Sequence, residues 1–278
     1  MNAKKIIPMA MIITVLSLMT ISTSVTVWAG DNITAPEVMK KMDNRDDGQT
    51  MRSDITMVLV NKKRQKRIRK IKNISKDYGK DTKKIVFFLS PADVKNTAYM
   101  SFDWDDPGKE DDSWLYLPAL KKVKRIASSD KSSAFMGSDF SYSDINGITI
   151  ENWDYTFVKE SMLVDGFDTW VIQGVPKDSK KKKVMDETGY LKSLMWIRKD
   201  NFMVVKAKYW VKKGHKIKFL KAGDIKKIDG IWTACKMTMI TTAKGRVEHT
   251  TLLKISSVKY NTDIDDARFT TLSMERGL

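Results

Sequence analysis

Residues 216–260 read KIKFLKAGDIKKIDGIWTACKMTMITTAKGRVEHTTLLKISSVKY. Three long runs, Lys216 to Ile228, Ile231 to Thr242 and Arg246 to Tyr260, are parted only by Asp229-Gly230 and Lys244-Gly245. Joints this short, each ending in Gly, predict antiparallel hairpins. Upstream, Leu191 to Arg198 and Met203 to Lys212 repeat the arrangement across Lys199-Asp200-Asn201 and Lys213-Gly214. Near the other end of the chain the period is again two. Ile55, Met57 and Leu59 point one way, and Asp54, Thr56 and Val58 the other. Arg64 to Lys76, Thr82 to Ser90 and Thr97 to Asp105 continue the series, and Asp106-Pro107-Gly108 is turn chemistry. Trp114 to Leu117 and Lys122 to Ile126 flank Pro118, and strands resume at Asn152 to Lys159 and Asp168 to Val175. The reading is a meander of eleven or twelve antiparallel strands. Long helices do not alternate with them, which argues against a parallel α/β fold.

Helical signals are few. Thr34-Ala35-Pro36-Glu37 sets a hydroxyl cap three residues before a carboxylate, followed by Val38, Met39 and Met42 at helical spacing. Ser128 to Ile145 loses the strand period and reads as helical turns or an ordered loop. Lys177 to Lys183 reads as a polar break, and Asp265 to Phe269 as a short helical turn.

The chain of 278 residues holds 50 Lys and Arg against 34 Asp and Glu. Residues 1–29 form a secretory signal pattern: Lys4 and Lys5, an uncharged stretch from Ile6 to Val27, then a site ending at Ala29. Cleavage there leaves a basic mature protein, residues 30–278, read as a single domain. No cysteine stands at the cleavage point, so no lipid anchor is expected on the new N-terminus. Cys235, the one cysteine, excludes an intramolecular disulfide framework and CxxC redox chemistry. His215 and His249 leave little material for a histidine metal site, and no metal or cofactor is expected.

A curved sheet of eleven strands encloses more space than an eight-stranded barrel, whose own side chains fill it. A helix, a second sheet or a ligand must occupy the difference. Alternation nominates Phe87, Leu89, Trp114, Tyr116, Phe157, Trp170, Ile172, Leu194, Trp196, Val204 and Trp210 for the inward faces, as packed core or as an apolar groove. Trp114 and Tyr116 share one face of their strand, and Leu115 and Leu117 the other. A strand apolar on both faces is covered twice or lines a cavity. Phe135-Met136-Gly137-Ser138-Asp139-Phe140 sets three large apolar groups around a glycine in a polar stretch, as a lid over a groove or a loop pinned by core anchors. The groove candidates are therefore Trp114, Tyr116, Phe135, Met136, Phe140, Trp196 and Trp210.

No catalytic set stands out. Ser133, Ser138 and Asp139 have no local histidine partner. The acidic run Asp103 to Asp112 lacks calcium-loop spacing and reads as a solvated turn. The basic runs Lys62 to Lys72, Lys121 to Arg125 and Lys180 to Lys183 fit anionic headgroups or acidic partners better than nucleic acid in an exported protein. Basic residues on strands also guard against edge aggregation.

The run Asp112-Ser113-Trp114-Leu115-Tyr116-Leu117-Pro118-Ala119-Leu120-Lys121-Lys122-Val123-Lys124-Arg125-Ile126, with Ser132 to Tyr142, resembles the exported outer-membrane lipoprotein-sorting-like family, related in fold to the lipoprotein carriers LolA and LolB. The resemblance implies an incomplete antiparallel barrel, mainly β with a few helices closing its concave face, that holds acyl chains. It also implies association with exporters of the resistance-nodulation-division type. The expected function is a periplasmic, non-enzymatic carrier of a lipid or lipidated molecule. The alternatives are an exporter adaptor with a filled interior and, last, a hydrolase.

Overall fold

The computed structural model describes residues 33–106 and 108–278. The expected signal segment, residues 1–29, lies outside them. Six strands run outward in sequence: β1 (Thr50–Asn61), β2 (Lys66–Tyr78), β3 (Asp81–Ser90), β4 (Ala98–Asp103), β5 (Asp112–Leu117) and β6 (Lys122–Arg125). Seven return: β7 (Trp153–Val164), β8 (Phe167–Pro176), β9 (Tyr190–Arg198), β10 (Val204–Val211), β11 (Lys216–Ile228), β12 (Ile231–Ala243) and β13 (Arg246–Tyr260). All thirteen form one antiparallel sheet in the order β6-β5-β4-β3-β2-β1-β13-β12-β11-β10-β9-β8-β7. Thirteen replaces the expected eleven or twelve. The sheet is not closed, since β6 and β7 are unpaired edges.

After β6 the chain stands at one edge and must reach β7 at the other. Residues 126–152 make that crossing on the inner face of the sheet, carrying the helix α2 (Tyr142–Asn146). The loss of strand period after Ser128 thus marks a bridge. Helix α1 (Ala35–Asp43) also packs on the inner face, through Val38 and Met39. Its cap is the expected reciprocal one, with Glu37 N–H donating to Thr34 Oγ1 at 3.4 Å and Thr34 N–H to Glu37 Oε2 at 2.7 Å. Two helices escaped the sequence reading: α3 (Lys181–Thr188), read as a polar break, and α4 (Thr271–Arg276). Both are short and polar enough to hide their period.

Registry fixes the two faces. Asn73, Val86, Tyr99 and Leu115 are successive cross-strand partners on the inner face. Ile74, Ile85, Met100 and Trp114 are partners on the outer face. The outer apolar patch is sealed by the C-terminal segment, whose Ile264, Phe269 and Met274 are buried against it. Polar ties hold that seal: Lys76 Nζ donates to Ile264 O at 2.9 Å, Tyr78 Oη to Asp266 Oδ1 at 2.6 Å, and Arg52 Nη2 to Asp263 O at 2.6 Å. Beta-5 is therefore covered twice, as its two apolar faces require.

Candidate functional site: an apolar cavity behind the crossing segment

The inner face is only partly filled. A cavity of about 460 Å³ lies between the sheet, α1 and the crossing segment. That is within the range of small-ligand sites, roughly 300–1,000 Å³. Its wall is built from the inner-face phase of the central strands. Ile55 pairs with Ile255, Met57 with Leu253, Leu253 with Met237, and Leu220 with Met239. Each of these residues lines the cavity. Methionine is the commonest wall residue: Met39 and Met42 from α1, Met51 and Met57 from β1, Met195 from β9, and Met237 and Met239 from β12. Unbranched thioethers fill irregular space and adjust to the shape of what enters. On β8, Gly174 makes room for the wall residue Tyr155, since a Cβ there would lie 2.9 Å from the Tyr155 ring.

The polar side chains in the wall are mostly committed to the protein. Asp144 accepts from Tyr190 Oη at 2.7 Å and from the Ser141 N–H at 2.8 Å, and pairs with Lys218 Nζ at 3.3 Å. Lys84 Nζ donates to Ile145 O at 2.6 Å, tying α2 to the sheet. Burial lowers the Lys84 pKa, against the pull of Asp103, Asp47 and Asp77. Burial also raises Asp43, with Glu151 and Asp47 adding repulsion. Among the described residues, Ser53 Oγ and Trp153 Nε1 are wall-residue atoms that are buried without a hydrogen-bond partner.

The crossing segment closes the cavity on one side. Phe135 and Phe140 line it and are almost fully buried. Phe135 meets Tyr99 and Tyr142 edge-on, at centroid distances of 5.3 and 5.4 Å. The turn between them needs two consecutive left-handed residues, Met136 at φ 50° and Gly137 at φ 73°. Gly137 adopts this without cost, and Met136 does not. Arg69, beneath the turn, donates to the Met136 carbonyl. Beside it, the buried Asp139 carboxylate accepts from Thr241 Oγ1 at 2.5 Å, Thr251 Oγ1 at 2.7 Å and His249 Nδ1 at 2.6 Å. Lid and anchor are thus one object, a plug fastened to β12 and β13 that also forms the cavity wall.

The other candidates fall elsewhere. Met136 packs on the inner core without lining the cavity. Trp114 and Tyr116 belong to the outer face, where Trp114 meets Phe102 edge-on at 5.0 Å. Trp196 and Trp210 are also off the cavity. Trp196 Nε1 reaches Met162 Sδ at 3.4 Å, and Trp210 lies under Lys192 and Lys208, 4.4 and 4.5 Å from its ring. Alternation shows that these strands have two faces but not which of them turns inward. Trp196 and Trp210 are covered on the outside by neighbouring side chains, and the cavity takes Ser193 and Met195 of β9 with Val204 and Tyr209 of β10 instead. The missed signal is the inner-phase methionine series on strands whose opposite phase carries a charged residue, Arg52 and Asp54 on β1, Lys192 on β9 and Lys236 on β12.

The acidic run is also divided. Asp105, Asp106 and Glu110 are exposed, but Asp103 and Asp111 turn inward. Burial and the neighbouring Asp111 push Asp103 up to about 7, while Lys131 pairs with Asp111 at 3.2 Å. His249 does find an acid, Asp139, that lies far away in sequence. The serines of the plug do not complete a catalytic set. Ser138 Oγ donates to Phe140 O at 3.2 Å and Ser133 Oγ to Asp130 O.

A protein of known structure from Desulfovibrio piger, belonging to the DUF1329 family, is 31% identical, with a TM-score of 0.77 over 86% of this chain and 97% of its own. This chain belongs to the DUF1329 family. A family model described as an uncharacterized protein matches residues 80–276. A domain from Vibrio parahaemolyticus assigned to outer membrane lipoprotein sorting is 29% identical, with a TM-score of 0.76 over 87% of this chain and 98% of that one. A LolA superfamily protein from Nitrosomonas europaea, 18% identical, superposes with a TM-score of 0.64 over 87% and 99%. This DUF1329 chain therefore has the LolA-like fold, an incomplete antiparallel barrel. No curated protein matches it in sequence.

Proposed function

We propose that the protein is a non-enzymatic carrier, exported to the periplasm, that holds the acyl chain of a lipid or lipidated molecule in the cavity. The observation that carries this reading is the wall itself, a methionine-rich carbon surface around about 460 Å³ that the chain leaves unfilled. An acyl chain moved there from water gains about 0.8 kcal/mol per methylene. Retention therefore needs no specific polar contact, and release needs a membrane or partner that offers the chain an equal environment. The neighbour assigned to lipoprotein sorting supports this class of cargo. An exporter of the resistance-nodulation-division type is the proposed delivery partner, testable by co-purification from the envelope.

The test is to fill the space. Leu220 and Met237 are half-buried residues of the wall. Leu220→Trp with Met237→Trp keeps the wall apolar while occupying the volume. A fluorescent fatty-acyl probe should bind the natural protein and lose at least tenfold in affinity to the filled variant, with the β-type circular dichroism unchanged. Equal probe binding by both proteins would reject the cavity as the binding place and favour the adaptor reading.

A further inference from the structure

Three hairpin turns stand side by side at one end of the central sheet. Strands β2, β1, β13, β12, β11 and β10 are consecutive neighbours. The turns β1–β2, β12–β13 and β10–β11 all leave the same end of these strands. Registry sets them level: Asn61 lies opposite His249, Thr242 opposite Val247, and Lys216 opposite Ala243. The charge on this edge is of one sign. The first turn carries Lys62, Lys63, Arg64, Lys66 and Arg67, all exposed. The second carries exposed Lys244 and Arg246, and the third exposed Lys212 and Lys213. Among the described residues none of these has a carboxylate within 4.0 Å, while Glu248, the carboxylate of this strip, is paired with Lys216 at 2.9 Å.

The opposite end of the same strands differs. There Asp43 at the end of α1, Asp46, Asp47, Asp229, Asp263, Asp265 and Asp266 stand among Arg45, Lys226, Lys227, Lys259 and Arg268, a mixture of both signs. The strip of one sign is thus confined to the end formed by the three turns, which a general solubilising charge does not require. Aggregation control does not explain the basic end either, because it is formed by turns at the middle of the sheet, away from its unpaired edges β6 and β7.

We propose that this basic edge is the surface by which the protein docks on an anionic phospholipid bilayer. Level hairpin tips suit a plane. Long, unpaired Lys and Arg side chains reach lipid phosphates without fixed partners, and each adds independently. Two apolar side chains stand exposed among them, Ile68 at 53% and Val247 at 57%, sized to enter the headgroup layer. An acidic protein face would also complement this charge, but level tips carrying exposed apolar side chains among the cations match a plane of headgroups over acyl chains. The edge also sits directly over the plug. Arg69 and His249, which hold the plug, are on the same strands just inside the turns. Docking therefore brings the bilayer to the fastening of the cavity wall. The proposal concerns where the protein meets the membrane and stands whether or not the cavity carries cargo.

The experiment uses the mature chain with two variants of equal charge change. In the edge variant, Lys62, Lys66, Lys213 and Arg246 become Gln. In the control, Lys40, Lys159, Lys236 and Lys259 become Gln, all exposed and away from the edge. Vesicles containing phosphatidylglycerol should bind the natural protein and the control far better than neutral vesicles, more weakly as salt rises. The edge variant should lose roughly 100-fold or more at low salt, with its melting temperature unchanged. Ile68→Ser with Val247→Ser should weaken vesicle binding further but leave binding to soluble polyglutamate or DNA unaltered. Equal loss in edge and control variants would overturn the proposal in favour of diffuse charge. Polyglutamate or DNA binding as tight as vesicle binding, with indifference to the apolar pair, would overturn it in favour of a soluble polyanion.

Discussion

On its outer face the first half of the sheet presents Ile74, Ile85, Phe87, Met100 and Tyr116, and the chain returns Ile264, Phe269 and Met274 to cover them. On its inner face Ile71, Val86 and Tyr99 meet the crossing segment, and beyond it a cavity remains. Both faces are apolar in sequence, and both are removed from bulk water. They differ in what does the removing. The outer face is finished by its own C-terminal segment, which follows β13 directly. The inner face is spanned by a segment whose task is to reach the other edge of the sheet. It can plug one end of the interior but not fill the whole width of thirteen strands. The unfilled volume thus follows from the strand order as much as from the wall residues.

The contrast predicts that stability and binding separate between the faces. The largest effect belongs to the outer seal. Phe269→Ala with Met274→Ala should cost on the order of 5 kcal/mol, since each deletes a buried side chain from a closed core. Acyl-probe affinity, measured well below the melting temperature, should not change. A tenfold loss of probe affinity in protein that is still folded would break the distinction, because it would make the outer seal part of the binding site.

A smaller effect separates the faces by pH. On the inner side, burial and Asp111 raise Asp103 to about 7 in the folded protein. The unfolded carboxyl ionises near 4. Between these values the folded state holds the extra proton, so this group's contribution to stability falls as pH rises towards 7. Asp103→Asn should remove that loss, gaining on the order of 1–3 kcal/mol at pH 8 over its value at pH 4 relative to the natural protein. On the outer side the sign is opposite. Hydrogen bonds from Lys76 and Tyr78 lower Asp266. Its contribution is present above the ordinary carboxylate pKa and disappears as pH falls through the lowered one. Asp266→Asn should therefore be destabilised at pH 7 and should match the natural protein in strong acid. Chemical denaturation of both variants across pH 3–8 reads this. The same slope in both would remove the electrostatic half of the contrast.

The sequence made the strands legible because their joints are short and many carry Asp-Gly, Lys-Gly or a similar turn. It made α1 legible through the Thr34–Glu37 box. The sequence shows a separate run for each of the thirteen strands, although the meander read from it has eleven or twelve. The site was less legible, for a physical reason. Alternation shows that a strand has two faces but not which one turns inward, and β3, β4 and β5 are apolar on both. Trp114 and Tyr116 are groove candidates only if a strand apolar on both faces lines a cavity rather than being covered twice. The second cover is what the structure shows, because a late segment around Phe269 supplies a second core there. Phe135 and Phe140 were recognisable because aromatics in a polar stretch need somewhere to go. The Asp139–His249 contact joins residues 110 positions apart, and no local pattern announces it.

The smallest effect tests the inner face against itself. Leu59 and Leu220 both belong to that face, yet Leu59 is packed in the core at 5% exposure while Leu220 is half-buried and lines the cavity. Truncating a leucine in a closed core loses its transfer energy and adds a term for the new void, together about 2.7–5 kcal/mol. Leucine at the cavity wall already borders empty space on one side. It has fewer contacts to lose, and its removal enlarges a void that exists rather than creating one. Leu59→Ala should therefore cost about 3 kcal/mol, and Leu220→Ala only about 1 kcal/mol. Occupancy supplies the second reading. With a saturating acyl probe the natural wall gains partners, so the gap between the two variants should narrow, with Leu220→Ala now losing part of the stabilisation that the probe confers. Denaturant midpoints with and without probe measure both. Equal costs for the two leucines, unchanged by the probe, would mean that the wall is closed in solution and that the inner face is filled like the outer one.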